Sequence, residues 1–349
     1  MLTLDSFTPT LHMVNLIAAI EAFRGSWRAL QNMAPERLTE LRHVATIESI
    51  GSSTRIEGSQ LSDRDVDKLW KSLAVGSFAT RDEQEVAGYA EVMDLVLNNW
   101  ISMPISEATI RQLHRILLGQ RPRDDWHRGG YKNTSNSVAA FDPQGRQIGV
   151  VFETADPLET PQRMAELIEW TNRELDLGTY HPMFVIGAFI VVFLQIHPFQ
   201  DGNGRMSRIL TTLLMLRAGY SYVPYSSMES VIERNKGEYY RSLRATQGTL
   251  GTNAPNWSPW LEFFLETLDR QAVHLKVKAE HLIDVAPQGN PLDLQIVEFV
   301  RQRAHTTMSD ILDATGANRN TLKGRLRTLV ANGKLLQHEG GRRTWYSTP

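Results

Sequence analysis

The residues best suited to catalysis lie in one stretch, 197–208, which reads H-P-F-Q-D-G-N-G-R-M-S-R. Proline disfavours the helical conformation in the residue before it, so a helix that precedes Pro198 should end at His197. The imidazole would then stand at the mouth of a loop. Histidine is the side chain that most often acts as a general base near neutral pH. The stretch therefore predicts a catalytic base at His197.

The second half of the same stretch has the residue types of an anion site. Gly202, Asn203 and Gly204 allow positive φ and the close approach of a ligand to the backbone. Consecutive N–H groups that lead into the next helix would form a nest for phosphate, which the helix dipole would reinforce. Arg205 and Arg208 are three residues apart, so one helix face would present both guanidinium groups to phosphate oxygens.

Asp201 is the acid in this positive setting. Beside a bound polyphosphate it is predicted to be a Mg²⁺ ligand, because Mg²⁺ takes one or two carboxylates together with phosphates and waters. Taken singly, each of these features is also common in a polar turn or at a helix end. Their combination within one short stretch favours a site for phosphoryl or nucleotidyl transfer.

The stretch resembles the Fic family signature, H-x-F-x-D/E-G-N-G-R-x-x-R, at every defined position. The resemblance implies an α-helical core and the transfer of AMP from ATP to a Ser, Thr or Tyr hydroxyl of a target protein. It implies that His197 deprotonates this hydroxyl, that Phe199 anchors the loop and that Asp201 holds Mg²⁺. It also implies that five further residues bind the phosphates of ATP: Gly202, Asn203, Gly204, Arg205 and Arg208. Of these, Arg208 would meet the γ-phosphate.

Two further segments fit the resemblance. A hairpin predicted between Val138 and Val151 falls where Fic proteins carry a flap, which pairs with an extended segment of the target protein. Asn235, Tyr239 and Tyr240 stand where similar proteins build an adenine pocket. Helix packing is the alternative role for the two tyrosines.

An inhibitory element is predicted upstream. Residues 53–58 read S-T-R-I-E-G, which resembles the motif S/T-x-x-x-E-G/N of autoinhibited Fic proteins. A Glu57 carboxylate would pair bidentately with Arg208 in place of the γ-phosphate, and Ser53 would cap or tether the same helix. A misplacement of about 1 Å in the α-phosphate can cost on the order of 100-fold in rate. The alternatives for Glu57 are an exposed residue near a helix end and a residue that positions water for the removal of AMP.

Helices dominate the elements that must position these residues, so the predicted class is mainly α. A turn signal at 142–145 separates two short segments, Ser137–Phe141 and Gln147–Phe152, and predicts a small β-hairpin. The predicted helices are Leu11–Met33, Pro35–Ile50, Ser62–Ala74, Asp82–Trp100, Ser106–Leu118, Pro161–Asp176, a buried run ending at Ile196, a helix through Ile209–Arg217, Ser230–Gln247 and Pro259–Ile283.

The C-terminal segment has the spacing of a winged helix-turn-helix. Three helices are predicted at Leu292–Arg303, Met308–Ala314 and Arg319–Ala331, and a two-stranded wing at Leu335–Tyr346. The proline- and glycine-rich break at 286–291 is the predicted domain boundary. The predicted divisions are 1–100 (N-terminal helices with the inhibitory helix), 101–250 (catalytic core), 251–286 (connecting helix) and 287–349 (winged helix).

The charge of this segment favours DNA as a partner. Residues 318–349 carry seven Lys or Arg against one acid, Glu339, a local net charge of +6. A basic recognition helix and wing are what contact with the DNA backbone requires. Asn318, Arg319 and Asn320 would point to base edges. The alternatives are a dimerisation or protein-docking module and a merely solvated face.

Composition excludes several classes. The chain has 349 residues, 42% of them hydrophobic and 22% charged, as in ordinary globular proteins. A net charge of −2 excludes a uniformly basic nucleic-acid binder, and the absence of cysteine excludes disulfides and thiolate metal sites. The apolar run Met183–Leu194 is shorter than the roughly 18 residues that cross a bilayer. A cytoplasmic protein without membrane partners is expected.

Two rival functions remain open at this point. The same site could transfer a phosphate or phosphocholine instead of AMP, although the intact G-N-G-R-x-x-R favours AMP. The other rival is a DNA-binding transcriptional regulator whose Fic-like core only senses ATP. The sequence also leaves open self-modification, a homodimer, and whether addition or removal of AMP dominates.

Overall fold

The computed structural model describes residues 2–30, 35–73, 76, 78–136, 138–141, 147–152, 154–284, 291–303, 305–340 and 343–348. The chain divides into two compact units, Met1–Lys278 and Ala279–Pro349. Helices dominate both units, which confirms the predicted class. No helix in the described part of the chain has both the length and the apolar character needed to span a bilayer.

The first unit is a helical assembly with one small hairpin. Its helices begin with side-chain caps at several points; Ser62, Thr80 and Ser106 each accept a hydrogen bond from the backbone N–H three residues on. The elements are α1 Leu11–Leu30, α2 Pro35–Ile56, α3 Asp63–Ser72, α4 Arg81–Asn99, α5 Glu107–Leu117, β1 Val138–Phe141, β2 Gln147–Phe152, α6 Thr160–Leu177, α7 Pro182–Ile196, α8 Asn203–Arg217, α9 Met228–Arg234, α10 Lys236–Gln247 and α11 Ser258–Asp284.

Helix α7 is the centre of this unit. Nearly all of its side chains are buried, as its continuous apolar sequence predicts, and α6, α8 and α10 lie against it. On α11, the Trp260 indole Nε1 donates to the Gly187 carbonyl at 2.6 Å. A Cβ at Gly187 would lie 2.6 Å from Leu261 Cδ2, so a glycine is needed where α11 crosses. A helix held on several sides gives a fixed position to the loop that follows Ile196.

Helix α8 begins at Asn203, so Arg205 and Arg208 both lie on it, as predicted. Two predicted helices have the wrong bounds. Helix α2 continues past Ile50 to Ile56, so Ser53 lies inside it. The predicted helix Ser230–Gln247 is two helices that break at Asn235, whose Nδ2 donates to the Val231 carbonyl at 2.8 Å. Asparagine competes in this way with the helical hydrogen bonds, which explains the break.

The predicted hairpin is present. β1 and β2 pair antiparallel, with Val138 opposite Phe152 and Phe141 opposite Gln147. The predicted turn at 142–145 lies outside the described residues. A two-stranded sheet leaves the outer backbone edge of each strand without a strand partner in the sheet, which is the geometry that strand addition uses.

The second unit has its own core and sheet. Buried Ile296, Ile311, Leu322, Leu326 and Tyr346 pack together in it. A short strand at Thr306–Thr307, too short to show alternation in the sequence, joins the two wing strands in the order β3-β5-β4. The elements are α12 Pro291–Arg301, β3 Thr306–Thr307, α13 Met308–Thr315, α14 Arg319–Ala331, β4 Leu336–Gly340 and β5 Arg343–Ser347.

This element order is the one that a winged helix requires, and the winged-helix assignment stays a prediction. Most of the break at 286–291 lies outside the described residues, so the predicted domain limits stay predictions as well. The turn between α13 and α14 begins at Gly316, which lies in the left-handed region at φ 63°.

The close approach of α4 and α5 can be tested at Gly88. A Cβ there would overlap the Leu117 carbonyl oxygen, and backbone cannot rotate away as a side chain can. We expect Gly88→Ala to lower the free energy of unfolding by about 1–3 kcal/mol. The matched control is Gly25→Ala at an exposed position of α1, where a Cβ would meet no described atom within 4 Å. That variant should gain about 0.5–1 kcal/mol. Urea melts measure both, and equal effects at the two sites would contradict the packing argument.

Candidate active site

His197 terminates α7 in an uncommon backbone conformation. Its φ is 52°, and among the described residues it is the one non-glycine residue with positive φ. Such a conformation costs about 1–3 kcal/mol and is typical of functional sites. The Leu194 carbonyl lies 3.1 Å from Nδ1 and can only accept, so Nδ1 carries the proton and Nε2 carries the lone pair. Burial lowers the pKa of His197 to about 4, so the imidazole is neutral at pH 7.

The loop after His197 is held from inside by Asn203. The Asn203 Oδ1 accepts from the Phe199 N–H at 2.9 Å, and its Nδ2 donates to the Phe199 carbonyl at 2.6 Å. Phe199 itself is fully buried, as the anchor role predicts. Because both ends of the Asn203 amide are used in this way, its predicted part in phosphate binding rests on its backbone N–H alone.

His114 is a residue of this site that sequence reasoning missed. Its ring stacks on Phe199 with centroids 3.7 Å apart and an interplanar angle of 6°. Nδ1 accepts from the Gly129 N–H at 2.9 Å, so Nε2 donates to the Asp201 carbonyl at 3.0 Å. Burial lowers the pKa of His114 to about 4. A lone histidine on an amphipathic helix carries no signal that would have singled it out.

The N-terminus of α8 presents donors for an anion. Gly202 is the N-cap at φ 82° and provides no side chain to occupy the first turn. Met206 is the first residue whose N–H bonds back, to the Gly202 carbonyl at 2.9 Å. Within the described chain, the N–H groups of Asn203, Gly204 and Arg205 have no acceptor. Three adjacent donors at a helix start form an anion nest.

Glu57 lies at this nest and pairs with Arg208. The Glu57 Oε1 is 2.8 Å from Arg208 Nη2, and a Cβ at Gly204 would overlap the same oxygen. Burial raises the pKa of Glu57, but the Arg208 guanidinium outweighs burial, so the pKa of this carboxyl lies below its usual value. The predicted bidentate pairing is wrong, because a single carboxylate oxygen makes the contact.

Ser53 takes the place of the second contact. Its Oγ accepts from Arg208 Nε at 2.7 Å, and its carbonyl accepts from Nη2 at 3.0 Å. Ser53 therefore binds Arg208 from within α2 and does not cap the helix. Only 2% of the Arg208 side chain is exposed, and Nη1 has no hydrogen-bond partner among the described residues. A buried guanidinium with a donor to spare has capacity for one more acceptor.

Asp201 and Arg205 belong to a second charged cluster. Arg205 is buried and lies 3.3 Å from Glu85 and 3.4 Å from Asp201. Arg121 bridges the same two acids, at 2.7 Å from Asp201 Oδ2 and 3.3 Å from Glu85. Neither Glu85 nor Arg121 is singled out by any motif in the sequence. Arg205 thus lies against two acids in this structure, and its role at the phosphates stays a prediction.

The predicted Mg²⁺ ligand has the properties of one. Burial raises the pKa of Asp201, but Arg205 and Arg121 lower it to about 2, so the carboxylate is ionised at neutral pH. Its side chain is 38% exposed, unlike that of Arg205. An accessible, ionised carboxylate beside an anion nest suits Mg²⁺. The ion could bind Asp201 Oδ2 only if the hydrogen bond from Arg121 to this oxygen breaks.

The residues of the predicted adenine pocket lie in two different environments. Tyr239 is 3% exposed and lies in an aromatic cluster, with ring centroids 5.9 Å from Trp260 and 6.0 Å from Phe263. That environment matches the packing alternative for Tyr239. Tyr240 and Asn235 are partly exposed at the start of α10, and their role at adenine stays a prediction.

The part of the chain that holds this site is similar to a known protein family. Residues 104–215, which include the His197 loop and the first part of α8, match the Fic/DOC family. This part of the chain is therefore similar to a Fic domain. The protein adenylyltransferase Fic of Drosophila willistoni is 25% identical over 237 residues, 67% of this chain and 43% of that protein. The protein adenylyltransferase fic-1 of Caenorhabditis elegans is 26% identical over 192 residues, 54% and 34% of the two chains. The chain thus spans less than half the length of these curated relatives.

Solved structures agree on the Fic fold. A Fic family protein from Desulfovibrio desulfuricans is similar with a TM-score of 0.64, at 23% identity, over 99% of this chain and 98% of that one. A Fic-domain-containing signaling protein from Bacteroides thetaiotaomicron has a TM-score of 0.60 at 26% identity, over 75% of this chain and 97% of that one. The predicted mainly α fold, similar to that of Fic proteins, is confirmed.

Acid should destabilise the first unit through His114. A histidine has a pKa near 6.5 in the unfolded chain, and the folded value is about 4. As pH falls from about 6.5 to about 4, His114 binds a proton in the unfolded chain but not in the folded chain. The free energy of unfolding therefore falls. The loss approaches about 1.4 kcal/mol per pH unit. Urea unfolding at several pH values should show a flatter profile for His114→Gln than for the wild type. Parallel profiles would contradict the account.

Proposed function

We propose that this chain is a protein adenylyltransferase that transfers AMP from ATP to a Ser, Thr or Tyr hydroxyl of a target protein. The observation that carries the proposal is the neutral imidazole of His197 beside a helix N-terminus with three donors and the buried Arg208. Base, anion nest and guanidinium are the parts that nucleotidyl transfer needs. The curated relatives named protein adenylyltransferase support the same reaction.

The reaction then proceeds by direct displacement. The target hydroxyl gives its proton to Nε2 of His197, and its oxygen forms a bond to the α-phosphorus of ATP. The bond between the α-phosphorus and the bridging oxygen breaks, and pyrophosphate leaves. The N–H groups of Asn203, Gly204 and Arg205 face the phosphate charge, and Arg208 meets the γ-phosphate. The strained backbone of His197 keeps the base at the loop mouth.

Asp201 would hold Mg²⁺ when ATP binds. The ion would supply positive charge to the phosphate oxygens. Arg205 and Arg121 keep the Asp201 carboxylate ionised, and Arg121 Nη1 lies 2.7 Å from its Oδ2.

We further propose that Glu57 inhibits the enzyme. Its carboxylate lies on Gly204 at the start of α8 and takes a donor of Arg208, so it competes for the place of a phosphate. ATP that binds with Glu57 present would hold its α-phosphate out of line with the incoming hydroxyl. The same carboxylate could instead position a water for the removal of AMP, which makes the direction of the net reaction a matter for experiment.

The hairpin is the proposed docking edge for the target protein. An extended target segment would pair with the free backbone edge of the β1–β2 sheet and carry its hydroxyl towards His197. Main-chain pairing of this kind does not depend on the side chains of the target. The identity of the target must therefore come from contacts outside the hairpin.

Removal of the Glu57 carboxylate should activate the enzyme. We expect Glu57→Gly to incorporate at least about tenfold more label from α-labelled ATP into protein than the wild type, because Arg208 is released for the γ-phosphate. Glu57→Gly with His197→Ala should incorporate none.

Incubation with cell lysate, followed by mass spectrometry of the labelled band, measures both. A gain of about 329 Da identifies AMP and about 80 Da a phosphate. Unchanged incorporation in Glu57→Gly would contradict the brake.

A basic stripe in the second unit favours a second function, DNA binding. Arg319, Lys323 and Arg327 are exposed and follow one face of α14 at four-residue spacing. Arg325 is not part of the stripe, because its Nε donates to Asp293 Oδ1 at 2.6 Å. Asn318, predicted to point to bases, caps α14 through the Asn320 N–H at 2.9 Å. Arg342 of the predicted wing lies outside the described residues.

Salt dependence tests the stripe. Replacement of Arg319, Lys323 and Arg327 by alanine removes three phosphate contacts, so the slope of log K against log salt should fall by about 3. The matched control replaces the exposed residues Arg64, Lys68 and Lys71 of α3 and should leave the slope unchanged. Gel shifts of the full chain on duplex DNA at rising salt measure both. Absence of binding at all salt concentrations would favour protein docking instead.

A further inference from the structure

Three polar side chains connect the base of the hairpin with the backbone of the His197 loop. Asn136 lies just before β1, Thr154 lies just after β2, and Lys132 lies between them and the end of α7. We refer to Lys132, Asn136 and Thr154 as the flap anchor. None of the three belongs to the Fic signature stretch 197–208.

Lys132 is the centre of the flap anchor. It is 3% exposed, and its Nζ donates to Asn136 Oδ1 at 2.8 Å, to Thr154 Oγ1 at 2.9 Å and to the Ile196 carbonyl at 3.0 Å. An ammonium group has three donors, so these acceptors use its full capacity. The backbone N–H of Lys132 also donates, to the Pro198 carbonyl at 2.8 Å.

Asn136 transmits the contact to the catalytic loop. Its Oδ1 faces the hairpin side, where it accepts from Lys132 and from Thr154 Oγ1 at 2.9 Å. Its Nδ2 faces the loop, where it donates to the His197 carbonyl at 3.2 Å and to the Phe199 carbonyl at 2.6 Å. One amide thus joins the two ends of the hairpin to the peptide of His197 itself.

A purely structural role does not explain this arrangement. An ammonium group is costly to bury, and an apolar side chain would fill the same space at lower cost. Among the described residues, every acceptor that the anchor uses outside itself is a carbonyl of residues 196–199, the segment in which His197 adopts its positive φ. The buried charge of Lys132 therefore lies where the orientation of the His197 loop matters.

We propose that the flap anchor is a positioning device, which fixes the distance between His197 and a target segment paired with the hairpin. Lys132 and Asn136 are positioning residues, since they act through the loop backbone and the hairpin and do not touch the reacting atoms. This inference rests on the proposed transfer to a protein hydroxyl. The anchor sets the hydroxyl acceptor in place, whereas α8 and Arg208 set the phosphates.

Two variants separate the halves of the anchor, and both are made in the Glu57→Gly background. Lys132→Met removes the ammonium and should loosen both the hairpin and the loop. Asn136→Asp keeps the acceptor for Lys132 and Thr154 but removes the donor to the loop carbonyls, so only the loop should loosen. Lys132→Arg keeps the charge and several donors and is the conservative rescue.

The first measurement is label incorporation into protein from α-labelled ATP. Lys132→Met and Asn136→Asp should lose about tenfold to 100-fold through kcat, while KM for ATP changes less than about twofold. Lys132→Arg should recover part of this loss. A parallel loss of ATP binding, measured with a fluorescent ATP analogue, would show a general structural role and overturn the proposal, as would incorporation within about twofold of the parent.

The second measurement needs no activity. Amide hydrogen exchange in 138–141 and 147–152 should be at least about tenfold faster in Lys132→Met and unchanged in Asn136→Asp, with α8 unchanged in both. Equal exchange in the hairpin of parent and Lys132→Met would overturn the anchor. If the Glu57→Gly parent incorporates no label, the proposed function fails, whereas the exchange result still decides whether the anchor holds hairpin and loop together.

Discussion

Arg208 carries a positive charge at a position where only 2% of its side chain meets solvent, and the site depends on how that charge is satisfied. Among the described residues, its acceptors come from the end of α2 and the turn that follows it: the Ser53 hydroxyl, the Ser53 carbonyl and the Glu57 carboxylate. Removing the partner of a buried charge is strongly destabilising, so the position always favours an anion. The same requirement attracts a phosphate and lets a carboxylate stand in its place. Under the proposed function, inhibition by Glu57 and binding of ATP are therefore two outcomes of one electrostatic constraint.

The reacting groups are held by neighbours that cannot easily move. Helix α7 is buried on several sides and ends at His197, whose positive φ is kept by hydrogen bonds to its carbonyl and from its ring. The stacked His114 ring and the Asn203 amide fix Phe199, and the flap anchor joins the loop to the hairpin. Preorganised groups reorganise little during the reaction, which is the main source of electrostatic catalysis.

Features that depend on neighbouring residues could be predicted from the sequence. Pro198 fixes the end of α7, and Gly202 fixes the start of α8, because local sterics decide both. Features that depend on contacts between residues far apart in the sequence could not be predicted in this way. Contacts with residues more than sixty positions away give His114, Glu85 and Lys132 their roles. The break at Asn235 was also missed, although the contact that causes it, to the Val231 carbonyl, is local. The contact between Glu57 and Arg208 was predicted through a family resemblance, but its single-oxygen geometry and the part of Ser53 were not.

The central claim is that Glu57 occupies the place of a phosphate on Arg208. The most direct measurement is a crystal structure of Glu57→Gly with Mg²⁺ and an ATP analogue that has a methylene bridge between the α- and β-phosphorus atoms. The account predicts the γ-phosphate within hydrogen-bond distance of Arg208 and the remaining phosphates on the N–H groups of Asn203, Gly204 and Arg205. A triphosphate bound away from Arg208 and from the start of α8 would contradict it.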